Sequence, residues 1–188
     1  MTYDIVLCGV GGQGVLSLAA IIAKGAMMER LHVKQAEVHG MSQRGGAVIA
    51  TLRISSQEIF SDLIPEGAAD MILSMEPLES LRHIKYLKKG GALITGKDPF
   101  LNIPDYPDED RLYKEINSVP SSMIIDTKSL ALEAGSNRAQ NIVLIGSASK
   151  VLPIKRETFL KAIEDVFSRK GDDIVEINKK AFLLGRKS

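Results

Sequence analysis

A three-layer α/β/α domain with a mixed, mostly parallel sheet is the fold class this sequence predicts, and three observations predict it. The first is the opening stretch Asp4-Ile5-Val6-Leu7-Cys8-Gly9-Val10-Gly11-Gly12-Gln13-Gly14-Val15-Leu16, an apolar run that breaks into glycines and then into an Ala/Leu-rich segment. It reads as strand, turn and helix, and Gly9, Gly11 and Gly14 fit the spacing G-x-G-x-x-G. The second is that short apolar runs alternate with segments of helical period along the rest of the chain, the pattern of a sheet covered by helices. The third is size. With 188 residues, 45% of them hydrophobic, one substantial core can be buried, and a single domain over 1–188 is expected.

In chain order, Val15 to Met28 carries apolar residues at Val15, Leu18, Ala19, Ile22, Ala26 and Met27, the spacing of a helix packed on a sheet. A second strand is expected over His32 to Val38. After it comes a run without helical or strand period, Glu37-Val38-His39-Gly40-Met41-Ser42-Gln43-Arg44-Gly45-Gly46, which reads as a loop held before the alternating strand Ala47 to Ile54. Ser55 to Glu58 reads as a turn and Ile59-Phe60-Ser61 as a short return strand, a hairpin that would add antiparallel members to the sheet. Asp70 to Ser74 is a buried strand. Glu76-Pro77 opens a helix expected to run to about Lys88, with Leu78, Leu81, Ile84 and Leu87 at i+3 steps and Gly90-Gly91 as the stop.

Ala92 to Thr95 returns as a strand, and Asp98 to Asp110, with Pro99, Pro104 and Pro107, reads as an irregular excursion. Ser122 to Asp126 is the last strand, followed by a helix through Leu130 and Ala134 with Gly135 as its cap. Asn141 to Leu152 reads as a buried helix ended by Pro153, and Glu157 to Phe167 and Asp173 to Leu184 as amphipathic helices. With the glycine turn at its start, this order makes the domain Rossmann-like.

Composition narrows the function. Lys and Arg (24) nearly balance Asp and Glu (23), and no block of like charge stands out, which argues against a nucleic-acid surface. No apolar run approaches the roughly 20 residues that span a bilayer, and Thr2-Tyr3-Asp4 leads straight into a strand, so a cytoplasmic chain away from membranes is expected. Cys8 is the only cysteine. One chain therefore supplies neither a four-cysteine cluster nor a cysteine-based zinc site, and Cys8 itself reads as a small buried side chain at the end of a central strand. His32, His39 and His83 match no metal-binding spacing, so no metal site is expected.

Two constellations carry chemistry. Gly9, Gly11, Gly12, Gln13 and Gly14 offer backbone N–H groups and a helix N-terminus to a phosphate or carboxylate, with the Gln13 amide beside them; the alternative is a tight turn without a ligand. For ordinary NAD binding the ribose-holding acid has only Glu29 and Glu37 as weak candidates. The second constellation is Glu37, His39, Ser42, Gln43 and Arg44 among Gly40, Gly45 and Gly46. Arg44, framed by glycines, can present its planar fork to a carboxylate or phosphate; the alternative is that it pairs with Glu37 and fixes the loop. There is no nucleophile elbow, and Val15-Leu16 stands where a Walker motif needs Lys-Ser/Thr, so no catalytic residue is assigned. A binding or auxiliary subunit is the economical reading.

The motifs Gly9-Val10-Gly11-Gly12-Gln13-Gly14 and Glu37 to Gly46 resemble the gamma-type domain of the 2-oxoacid:ferredoxin oxidoreductases, and the histidine in the second motif most resembles the small subunits of indolepyruvate ferredoxin oxidoreductases. The similarity extends through Glu76-Pro77-Leu78-Glu79 and Gly90-Gly91 to Asn141-Ile142-Val143-Leu144-Ile145-Gly146. The resemblance implies a non-catalytic partner of a large alpha subunit that carries thiamine diphosphate and [4Fe–4S] clusters, decarboxylates arylpyruvates oxidatively to acyl-coenzyme A and passes electrons to ferredoxin. It also implies that Gly11 to Gly14 and Arg44 meet coenzyme A phosphates, with His39, Ser42 and Gln43 lining that site or the subunit interface. The competing expectations are a stand-alone NAD(P)-binding oxidoreductase and an assembly subunit with an empty glycine loop.

Overall fold

The computed structural model describes residues 1–39, 45–101 and 103–188, with the backbone alone at His39. Its six strands are β1 (Thr2–Val10), β2 (His32–His39), β3 (Ala47–Ser55), β4 (Ala69–Ser74), β5 (Leu87–Gly96) and β6 (Ser122–Ile125). They form one sheet in the order β2-β3-β1-β4-β5-β6. β3 runs antiparallel to both neighbours, while β1, β4, β5 and β6 pair parallel, so five strands share one direction and the expected mixed, mostly parallel sheet is present. The helices are α1 (Val15–Met28), α2 (Pro77–Arg82), α3 (Glu109–Asn117), α4 (Thr127–Ala134), α5 (Gln140–Ala148), α6 (Arg156–Phe167) and α7 (Asp172–Lys187). Among the described residues no helix is long and apolar enough to cross a membrane.

The two faces of the sheet are covered unequally. Ile5, Leu7, Met71, Leu73 and Ile94 point to one face and join residues of α1, α4, α5, α6 and α7 in the main core. Val6, Cys8 and Ile72 point to the other, where a smaller cluster lies and where α2, α3 and the segment after β3 pack. Alternation along β1 therefore distributes apolar side chains to both faces, as a central strand requires. Cys8 is fully buried, as its sequence setting suggested, and burial pushes its thiol up to about 12. Across β1 and β3 the register partners Asp4 and Arg53 form a two-point ion pair, Nε to Oδ1 at 2.9 Å and Nη2 to Oδ2 at 3.0 Å.

Three expectations about elements are corrected. No return strand forms at Ile59-Phe60-Ser61, because β1 and β2 already occupy both edges of β3 and leave nothing to pair with. That segment instead crosses the sheet face, where the Phe60, Ser61, Asp62 and Leu63 carbonyls accept from Lys34 Nζ, Arg53 Nη1 and Thr51 Oγ1. The antiparallel members come from β3, which pairs with β2 on one side and β1 on the other. Next, α2 ends at Arg82, and after a 3-10 turn (Ile84–Tyr86) Leu87 pairs with Ala69 as the first residue of β5, so Gly90-Gly91 belong to a strand rather than a helix stop. Finally, α3 was not expected. Asp108 caps it by accepting from the Arg111 N–H at 3.0 Å, and Leu112 and Ile116 bury one face.

α1 begins and ends where its periodicity put it, and α4 closes on Gly135 with φ +117. α5 is the buried helix expected from Asn141 onward but stops at Ala148, four residues before Leu152, and Val151 lies exposed beyond it. α5 and α7 approach backbone to backbone: a Cβ on Gly146 would fall on the Phe182 carbonyl, and one on Gly185 on the Val143 carbonyl.

Candidate functional site

The glycine turn is built by its own hydrogen bonds. The Gln13 N–H donates to the Val10 carbonyl at 3.0 Å, and the Val10 N–H donates back to Gln13 Oε1 at 2.8 Å. That acceptor is thus committed to the turn. Gly12 and Gly14 have φ of +102 and +84, a region costly to residues with a Cβ. Gly14 is also the N-cap of α1 and has no side-chain cap, so the positive end of the helix is left open to an anion. The second motif meets the first: the Gly11 N–H donates to the Gly46 carbonyl at 2.8 Å, and the Gly45 N–H donates to the Gly11 carbonyl at 3.4 Å. Gly40, Ser42, Gln43 and Arg44 lie outside the described residues, and His39 ends β2 opposite Val48.

On the other side of the turn opens a cleft of about 670 Å³. Gly12, Gln13 and Gly14 line it after β1, Met75 after β4, Asp98 and Phe100 after β5, and Thr127 and Lys128 after β6. It thus lies at the carboxyl ends of the four parallel strands. α1 leaves the sheet to one face while α2 and α3 cover the other, so the chain switches direction between β1 and β4, where ligands of open α/β sheets bind. Arg138, Gln140 and Asn141, at the start of α5, complete the lining. α5 runs on from a 3-10 turn (Asn137–Ala139) that Ser136 caps, its Oγ accepting from the Arg138 N–H at 3.3 Å. α4 is already capped, since Asp126 Oδ1 accepts from the Ser129 N–H at 2.9 Å, and this bond holds the Asp126 carboxyl below its ordinary range.

Glu76 fixes the wall of the cleft. It is buried, its Oε2 accepts from the Glu79 N–H at 2.8 Å, and its Oε1 accepts from the Phe100 N–H and the Tyr106 hydroxyl. One carboxylate thereby caps α2 and folds the segment after β5 back over the strand ends. Burial and Glu76 together raise the Tyr106 phenol well above its ordinary value. Asp98 Oδ2 is different: it is buried and, among the described residues, has no hydrogen-bond partner. Such an acceptor is costly unless a donor arrives.

The two acids weighed for ribose recognition stand elsewhere. Glu29 is the C-cap of α1, at the far end of the helix from the glycines, and accepts from the Thr158 hydroxyl at 2.6 Å and the Lys155 N–H at 3.3 Å, which holds its carboxyl below the ordinary range. Glu37 is on β2, which β3 separates from β1; two strand spacings make roughly 10 Å. Beside the glycine turn the neighbouring residues are Gly45, Gly46 and Ala47, none of them acidic.

Sequence comparison decides the family. The family model for pyruvate ferredoxin/flavodoxin oxidoreductase matches residues 4–188. The chain belongs to this family. Among curated members, the indolepyruvate oxidoreductase subunit IorB of Thermococcus kodakarensis is 39% identical over 196 residues, covering 99% of this chain and 95% of that one. Among solved structures, the keto/oxoacid ferredoxin oxidoreductase gamma subunit of Geobacter sulfurreducens matches with a TM-score of 0.75 at 24% identity, covering all of this chain and 95% of that one. The 2-oxoglutarate:ferredoxin oxidoreductase of Magnetococcus marinus, solved with 2-oxoglutarate, coenzyme A and succinyl-CoA bound, matches with a TM-score of 0.77 at 23% identity. This chain covers 30% of that longer one. These structural likenesses establish the gamma-subunit fold.

Of the twelve sequence-predicted site residues, Gly12, Gln13 and Gly14 line the cleft, and Gly9, Gly11, Gly45 and Gly46 build the turn behind it. Sequence reasoning missed Asp98, Phe100, Lys128, Arg138 and Asn141. A signal existed for the first three: each follows a predicted strand by a few residues, and strand carboxyl ends are where such sheets bind ligands.

Proposed function

We propose that this chain is the small, non-catalytic subunit of an indolepyruvate-type 2-oxoacid:ferredoxin oxidoreductase and that its cleft holds coenzyme A. The observation that carries the reading is the 39% identity to an indolepyruvate oxidoreductase subunit over nearly the whole of both chains. The cleft chemistry supports it. The uncapped N-terminus of α1 at Gly14 shares one space with Lys128 and Arg138, a setting suited to phosphate groups. At Gly12 a Cβ would meet nothing within 4 Å among the described residues, so the backbone is open to close approach. Asp98 repels phosphate but suits the hydroxyl and amide donors of the same ligand. Arg44 and His39, Ser42 and Gln43 join the site from the second motif on this reading.

Thiamine diphosphate, the [4Fe–4S] clusters and electron transfer to ferredoxin belong to a large alpha partner. With Cys8 as the only cysteine, this chain cannot supply the four thiolates of a cluster. The whole of 1–188 acts as one gamma-type domain that completes the partner's active site.

Calorimetry of coenzyme A with the complex of this chain and its large partner tests the site. Arg44→Ala and Lys128→Ala are each expected to weaken binding by about tenfold, the loss of one charge-assisted phosphate contact worth roughly 1.5 kcal/mol. Unchanged affinity in both variants sinks the ligand assignment. Viologen reduction with indolepyruvate, with and without the partner, tests the subunit reading: activity in the isolated chain overturns it.

A further inference from the structure

β2 ends the sheet, and among the described residues no strand pairs with its outer side. Such an edge presents unpaired N–H and C=O groups, which proteins usually blunt with short strands, prolines, bulges or outward lysines. β2 has eight residues, no proline, and a register with β3 that runs unbroken from His32 against Ser55 to His39 against Val48. Its one lysine, Lys34, is drawn over the sheet face, where Nζ donates to the Phe60 carbonyl at 3.1 Å. Two large apolar side chains lie on that same face beside the edge: Val38, 64% exposed, and Phe60, 86% exposed. Phe60 is not on a loose loop, since Lys34, Thr51 and Arg53 together tie down the segment that carries it.

We infer that β2 pairs antiparallel with β2 of a second copy of this chain, about a two-fold axis at Ala36, so that the two sheets become one. A two-fold normal to a sheet keeps every side chain on its own face, so it sets opposite one another only residues an even number apart. With the axis at Ala36, the smallest side chain of the strand faces itself, Gln35 faces Glu37, and Lys34 faces Val38. Within one chain Gln35 Nε2 donates to Glu37 Oε1 at 2.6 Å. Across the axis amides and carboxylates then alternate, and the second N–H of each amide meets the other copy's carboxylate. On the opposite face Val38 of the second copy comes to the row of Lys34, the side chain that holds Phe60, and the two exposed apolar groups cover each other. An axis at Gln35 does neither: it sets Val33 against Glu37 and Val38 against His32. The inference goes beyond the coenzyme A reading, whose cleft β2 does not line.

The test is sedimentation of the full chain at micromolar concentration, with circular dichroism on the same samples to report folding. Wild type is expected to be a dimer. Val38→Lys sets like charges opposite Lys34 on both sides of the axis and is expected to weaken the dimer at least about tenfold with an unchanged spectrum. Val38→Glu sets opposite charges there and is expected to keep it, a distinction that a merely hydrophobic contact would not make. Ala36→Cys places two thiols at the axis, where opposed Cα atoms stand roughly 4.5–5.5 Å apart, and is expected to cross-link under mild oxidation. Lys161→Cys, at an exposed position of α6, is expected not to, and Cys8 is fully buried. The inference is overturned if wild type is monomeric, if Val38→Lys and Val38→Glu behave alike, or if Ala36→Cys cross-links no more than Lys161→Cys. A chain that is monomeric alone and loses its large partner on Val38→Lys gives the edge to that partner instead, and this too overturns it.

Discussion

Adding one methyl group at Gly9 and one at Gly12 separates the structural from the ligand-facing half of the glycine turn. A Cβ at Gly9 would stand 2.9 Å from Val15 Cγ2, 3.0 Å from Met75 Cβ and 3.0 Å from Gln13 Oε1. The Met75 Cβ is fixed to backbone and cannot give way, while Gln13 can move only by releasing the Val10 N–H. Overpacking costs about 1–3 kcal/mol, and the lost hydrogen bond adds about 1 kcal/mol. Gly9→Ala is therefore expected to destabilise by about 2–4 kcal/mol, a fall in Tm of roughly 4–16 °C for a chain of this length. Gly12→Ala meets no atom within 4 Å among the described residues and loses the left-handed backbone preference, about 1–2 kcal/mol. Its methyl group lines the cleft, so its larger effect is expected on coenzyme A affinity. Thermal melts of both variants and calorimetry on their complexes are the assays. A Gly9→Ala chain that melts with wild type, or a Gly12→Ala chain that melts lower than Gly9→Ala, refutes the division.

Gly185→Ala drives a methyl onto the Val143 carbonyl and forces α5 and α7 apart, so a loss of at least about 3 kcal/mol is expected in denaturant melts, against a gain of about 1 kcal/mol for an exposed helix glycine-to-alanine change. Glu79 is buried, its Oε2 accepts no hydrogen bond among the described residues and stands 3.9 Å from His83 Nε2, and burial raises its carboxyl above the ordinary 4.5, with Arg82 opposing and Glu76 adding to the shift. Because the folded state then binds the proton more tightly than the unfolded one, this residue's contribution to stability is present below pH 4.5 and is lost as pH rises through the raised value. Stability-versus-pH curves are expected to fall less over that window in Glu79→Gln than in wild type, and an unchanged slope contradicts the assignment. Asp98→Asn removes the charge but keeps an acceptor, and is expected to leave coenzyme A affinity within about threefold, whereas Asp98→Leu removes the acceptor and lowers it by about tenfold; equal effects would assign Asp98 a purely electrostatic role.

What could be read from the sequence was what local period decides. α1 is found residue for residue because its apolar positions and the preceding glycines agree, and β3 because it alternates cleanly between a core face and a thinly covered one. The hairpin at Ile59 failed because pairing is a property of the sheet: nothing local says that β1 and β2 will take both edges of β3. The helix after Glu76 was drawn too long because Leu87 serves equally as the next i+3 position and as the partner of Ala69. α3 was hidden by the three prolines before it, although Asp108 with Leu112 and Ile116 four residues apart carried a cap and a buried face. In the site, the glycines announce themselves because backbone geometry restricts their positions. Asp98, Lys128 and Arg138 do not, since their charges take on a shared role only when the end of β5, the start of α4 and the turn before α5 bring them to one edge.

The insertion of β3 between β1 and β2 explains why the glycine fingerprint misleads here. A dinucleotide site has two halves: an anion half at the turn and helix N-terminus, and a ribose half at the end of the adjacent parallel strand. This sheet keeps the first, with Gly14 uncapped at the start of α1. Antiparallel β3 occupies the place of the second and presents its beginning, Gly45-Gly46-Ala47, where the end of a parallel strand would bring an acid. Hydrogen bonds tie Gly11 to Gly45-Gly46 on that side, where a space of about 310 Å³ bounded by Val10, Val15, Leu16 and Val48 is smaller than the cleft of about 670 Å³ toward β4, β5 and β6. The larger cleft offers a phosphate-bearing ligand a path across the ends of those strands, past Thr127 and Lys128 to the start of α5. Coenzyme A has one nucleoside and, beyond its diphosphate, a flexible arm that such a path accommodates, whereas a dinucleotide carries a second rigid nucleoside there.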